Sequence, residues 1–77
     1  MMDSFGAWLL AQSGREGFLG ELAGYAAADR GFPRSGGPRT VRAHVLKNAV
    51  SDEMRDALED AITEWSTLRS RESRSAA

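Results

Sequence analysis

The chain has 77 residues, no Cys, one His and a formal charge of −1. That length suits one small domain with one core, and the missing cysteines exclude disulfides and thiolate-bound metals and leave no basis for a structural zinc site. The charge is segregated: residues 1–29 sum to −3, 30–47 to +5, 48–64 to −5 and 65–77 to +2, so a basic middle precedes an acidic final segment.

The opening MMDSFGAWLLAQSG carries an acid where a signal peptide carries basic charge, and its apolar run is too short to span a bilayer. A cytoplasmic protein with no membrane association is expected. Arginine outnumbers lysine nine to one, and Ala and Gly are frequent, which points to a bacterial or phage origin. Phe5, Trp8, Leu9 and Gln12 follow the i, i+3, i+4, i+7 rule from a cap at Asp3 or Ser4, predicting a first helix of about three turns with Gly14 as its stop. Gln12 shares a face with two aromatics: buried, it needs backbone partners, and at the edge it needs none.

From Phe18 to Asp29, Leu19, Leu22, Ala23 and Ala26 share one face, which Phe18 and Tyr25 extend. A face that broad predicts packing against two neighbours. Gly20 and Gly24 each cost about 1 kcal/mol relative to Ala; they either permit close approach or are tolerated weaknesses. RGFPRSGGP, residues 30–38, breaks the helical pattern at Pro33 and the glycines, with Phe32 expected to plug the core. A third helix is predicted from Pro38 or Thr40 to Asn48, with Val41, Val45 and Ala49 inward and His44 near the edge.

Ser51 is a good N-cap for the longest pattern, in which Met54, Leu58, Ala61, Ile62, Trp65 and Leu68 form one stripe and Asp52, Glu53, Asp56, Glu59, Asp60 and Glu64 the opposite face. Trp8, Leu22, Phe32, Leu58, Ile62 and Trp65 are expected to share one core. Beyond Leu68, RSRESRSAA has no apolar period, so a domain over residues 1–69 and a disordered tail over 70–77 are expected. The fold class is all-α, a compact bundle of four or five short helices.

Three fragments in order carry a resemblance. Phe5, Trp8, Leu9, Gln12 and Arg15, then Gly20, Glu21, Leu22 and Ala23, then Asp29, Phe32 and Pro33 read F-x-x-W-L-x-x-Q, G-[DE]-L-A and D-x-x-F-P. In these the chain resembles the YozE-like, SAM-like (sterile alpha motif-like) family of small bacterial domains, over roughly its first half. The resemblance implies a fold of four to five helices and an interaction role; it carries over no catalytic or ligand-binding residue. Gly17 stands where family members often have a capping Asp, and the RSGGP loop is richer in glycine than the family pattern.

Chemistry-bearing groups are sparse: one His, no Cys, and no phosphate-binding Gly-rich loop followed by Lys and Ser or Thr. No cofactor or enzymatic activity is expected. Asp52, Asp56 and Asp60 lie one turn apart, but three carboxylates on a straight helix do not wrap a hard cation as loops do, so they read as a solvated face. Arg30, Arg34, Arg39, Arg42 and Lys47 occur with no intervening acid and can meet phosphates; the pI near 5.7 and the acidic last helix oppose that reading, and neutralisation within the domain competes with it. A protein-binding module is the favoured expectation, its candidate surface combining Arg34, Arg39, Arg42 and Lys47 with Asp56, Glu59 and Asp60. The partner is another protein or, weakly, a second copy of the chain; a nucleic-acid accessory role of the Arg30 to Lys47 region is the alternative.

Overall fold

The structure, a computed structural model, describes residues 4–48 and 51–76. Four helices follow in order, α1 (Phe5–Leu10), α2 (Gly17–Ala28), α3 (Pro38–Lys47) and α4 (Asp52–Ala76), and no strand occurs among the described residues. The expected all-α bundle is what forms, with four helices. Asp3 and Ala49, expected as a cap and as an inward residue, lie outside the described residues.

Ser4 caps α1, its Oγ accepting from the Ala7 N–H at 3.3 Å, and ties the helix to the later loop, its hydroxyl donating to the Arg34 carbonyl at 3.1 Å. The helix is shorter than expected, because the chain tightens after Leu10. The Gln12 N–H donates to the Leu9 carbonyl at 2.9 Å and its side-chain Nε2 to the Trp8 carbonyl at 2.9 Å, closing the open end with i→i−3 and side-chain bonds. Gln12 is therefore half-buried and locally satisfied.

α2 packs chiefly on α4, and its buried residues are Leu22 and the small Gly20, Ala23 and Ala26. Gly20 is required by close approach: a Cβ there would collide with the Arg15 carbonyl. Gly24 faces open space, nothing lying within 4 Å of its would-be Cβ. The buried face is narrower than predicted, for Phe18 and Tyr25 stand 50% and 45% exposed. Small side chains let α2 and its neighbours approach closely, and the two large rings fall outside that seam.

The loop after α2 is tied down at both ends. Asp29 Oδ1 accepts from the Gly31 N–H at 2.9 Å, an Asx-type turn, and the Gly6 N–H donates to the Gly36 carbonyl at 3.0 Å. Gly6 allows this, since a Cβ would strike the Pro33 carbonyl. Between these ties Phe32 enters the core at 5% exposure, contributing about 1.5–3 kcal/mol of burial.

Pro38 opens α3, where a missing N–H costs nothing, and Val41 and Val45 point inward. In α4, Ser51 Oγ accepts from the Met54 N–H at 3.3 Å, and Asp52 and Glu53 sit in the first turn, where the helix dipole favours them. The core comprises Phe5, Leu9, Leu22, Ala23, Ala26, Phe32, Val41, Val45, Leu58, Ala61 and Trp65, with Trp8, Leu10, Leu19, Met54 and Ile62 half-buried around it. Trp8 and Ile62 thus border the core, and Leu68 is mostly outside it at 37% exposure. Trp65 meets Phe5 edge-on at 5.8 Å, and Phe5 stacks on Trp8 at 6.0 Å.

Residues 70–76, expected as part of a disordered tail, continue the helical backbone of α4 to Ala76. The segment has no Gly or Pro, Arg and Glu are good helix formers, and extending an existing helix needs no new nucleus. Lack of an apolar period removed the packing partner there without removing the helix.

Candidate functional site: an acidic groove between α2 and α4

The residues expected to form one surface divide into three situations. Arg42 and Glu59, drawn from the basic and acidic sets, pair with each other across α3 and α4 through two parallel bonds of 2.8 Å. That bidentate geometry holds the Glu59 carboxyl below its ordinary range and lifts the Arg42 guanidinium above its own. Both side chains are thereby engaged within one chain. Arg34, Arg39 and Lys47 are exposed and make no ion pair with a described residue. Asp56 and Asp60 share that condition on α4, whose own Arg55 lies 3.5 Å from Asp52.

His44 has a structural partner. Its Nε2 lies 2.7 Å from Asp29 Oδ2, an ion pair when the ring is protonated, and Phe32 meets the ring edge-on at 6.0 Å. The hydrogen bond from His44, followed by that from the Gly31 N–H, lowers the Asp29 pKa below its ordinary 3.8. The pair pins α3 to the loop after α2.

A concavity of about 590 Å³ runs between the start of α2 and the face of α4 opposite it. Glu53, Asp56, Asp60 and Glu64 form one rim, at spacings of three and four residues, and Glu16 faces them. Ala57 and Ala61 form the floor; Phe18 and Leu19 form the apolar part of the opposite wall. Gly17, with φ +81°, turns the chain into α2 beside this wall, a left-handed backbone that favours glycine; Glu16, at the N-cap, makes no side-chain cap bond. One cation enters the groove. Arg15 Nη1 and Nη2 reach Glu64 Oε2 and Oε1 at 2.8 and 3.4 Å, and Nη1 also donates to Gln12 Oε1 at 3.3 Å.

Of the residues singled out from sequence, Asp56 and Asp60 line this groove; Glu59 lies in a second depression with Leu46, Asp52 and Arg55, which Asp56 also borders. Glu16, Phe18 and Glu64 were missed as site residues. Spacing puts Phe18 at the margin of the packed face of α2, and helical spacing cannot say how wide that face will be. The Arg15–Glu64 pair spans 49 residues, so no local pattern reveals it.

Among the described residues, no group of three or more His, Cys, Asp or Glu side chains is disposed to hold a metal ion; Asp52, Asp56 and Asp60 stand side by side along the helix. No described helix is long and apolar enough to cross a membrane. What the groove offers chemically is dense negative charge beside an exposed phenyl ring. No family model, curated protein or solved structure matches the chain.

Proposed function

We propose that the chain is a small non-enzymatic interaction module of the bacterial or phage cytoplasm that binds a basic surface of another protein through the groove between α2 and α4. One observation carries this: five carboxylates and one already-engaged arginine surround an open groove with a half-exposed phenyl on its wall. Aromatic side chains supply much of the energy at protein interfaces, and complementary charge sets encounter rate and register. The similarity of F-x-x-W-L-x-x-Q, G-[DE]-L-A and D-x-x-F-P to the YozE-like family belongs to the same proposal, since it implies an interaction role.

The nucleic-acid reading draws on Arg30, Arg34, Arg39 and Lys47, without Arg42, which Glu59 holds; phosphates would also meet repulsion from the α4 rim. The two readings separate in one comparison. The wild type and an Asp56→Lys, Asp60→Lys variant are each used to capture proteins from cells that encode the chain, and each is titrated with duplex and single-stranded oligonucleotides. Basic proteins retained by the wild type and lost by the variant, with no salt-sensitive oligonucleotide binding, support the proposal. Identical captures, or oligonucleotide binding by the wild type, overturn it.

A further inference from the structure

The groove has a defined spacing as well as a charge. Its α4 rim places carboxylates at Glu53, Asp56, Asp60 and Glu64, a row about 16 Å long at 1.5 Å per residue. Like charges one turn apart oppose the helix that carries them, so this row gains from a cation laid along it. Arg15 shows how such a cation sits: its guanidinium lies against Glu64 with two nitrogens facing two oxygens. It fills only one end of the row, and Asp56 and Asp60 make no ion pair with a described residue.

We propose that the groove seats a short amphipathic helix of a partner protein, with two arginines one turn apart reaching Asp56 and Asp60 and a large apolar side chain lying on Ala57 against Phe18. This rests on the interaction-module reading above and specifies its ligand. Arginines at i and i+4 on a partner helix repeat the i, i+4 spacing of Asp56 and Asp60. Arginine fits better than lysine because its planar fork grips a carboxylate through two bonds, as Arg15 does here. The apolar anchor is required because exposed ion pairs contribute little each, whereas Phe18 is an aromatic ring 50% exposed beside a floor of small residues.

The probe is a synthetic helical peptide of about twelve residues, long enough to span the rim, with Arg at i and i+4 and Leu between them on the same face. Two control peptides replace both Arg by Lys, or Leu by Ser. Binding is followed by amide shifts of the labelled chain, with Phe18→Ser and Asp56→Asn, Asp60→Asn variants checked for unchanged melting. Expected are shifts at Phe18, Leu19, Ala57 and Ala61, and binding weakened about tenfold by the Ser peptide, by Phe18→Ser or by the double Asn change. The Lys peptide binds more weakly than the Arg peptide. Equal binding of the Leu and Ser peptides, or indifference to Phe18→Ser, overturns the proposal by reducing the contact to bulk charge attraction. Absence of peptide binding overturns it too. If the capture difference between wild type and the Asp56→Lys, Asp60→Lys variant persists in either case, the module reading survives with a different ligand; if that difference also vanishes, both fall.

Discussion

At the scale of single residues, two glycines of α2 give opposite expectations. Gly20→Ala drives a methyl into the Arg15 carbonyl, and the turn that carries Arg15 to Glu64 must shift, so a net loss of about 1–3 kcal/mol is expected in urea denaturation. Gly24→Ala meets open space and should stabilise by about 0.4–1 kcal/mol. Periodicity shows only that both are glycines inside a helix; which of them is spatially required depends on where the preceding turn folds back. A third residue-scale expectation concerns acid. Asp29 has a folded-state pKa below its unfolded 3.8, so between the two values the unfolded chain binds more protons and stability rises with pH. The contribution is complete above about 3.8 and disappears as pH falls through the lower folded value. Urea midpoints measured from pH 2 to 6 should show this slope reduced in Asp29→Asn, and an unchanged profile would remove the His44–Asp29 pair from the account of stability.

Helices are where the pattern of the chain is most legible. The stripe of α4, the caps Ser4 and Ser51, the plug at Phe32 and the inward Val41 and Val45 all follow from spacing and local chemistry, because each depends on neighbours within a turn or two. Element ends are less legible. α1 stops early because Gln12 closes it from within, and α4 runs on to Ala76 because nothing in the segment stops it. Two predictions follow at this scale. Trp65→Ala removes the ring that meets Phe5 across the bundle and should cost about 3–5 kcal/mol; a melting point within a few degrees of wild type would contradict its place in the core. Ending the chain at Arg69 retains the guanidinium over Trp65 and removes the exposed Ser70, Arg71 and Glu72 together with the residues that follow them. Far-UV ellipticity should fall while the urea midpoint stays within about 0.5 kcal/mol of the full chain.

The molecule as a whole converts segregated charge into two outcomes. Part of it is neutralised internally, Arg42 with Glu59 and Arg15 with Glu64, and part remains along the groove at Asp56 and Asp60. Residue order shows the basic and acidic blocks but not which members meet, since pairs separated by 17 and 49 residues are made by the packing of α3 and the α1–α2 turn against α4. Phe18 likewise became a wall of the groove only once the width of the α2–α4 seam was fixed. Because the rim carboxylates repel one another, Asp56→Lys, Asp60→Lys should fold at least as stably as the wild type, any gain being on the order of 0.2–0.5 kcal/mol per relieved pair; loss of capture by that variant therefore reports the surface and not the fold. The most direct measurement is amide shift mapping of the labelled chain, titrated at low salt with the Arg-bearing helical peptide and, in parallel, with a duplex oligonucleotide. The expected result is peptide-induced shifts concentrated on Phe18, Leu19, Ala57 and Ala61, and none with the oligonucleotide. Shifts around Arg34, Arg39 and Lys47 on adding the oligonucleotide, with the groove silent to the peptide, would contradict it.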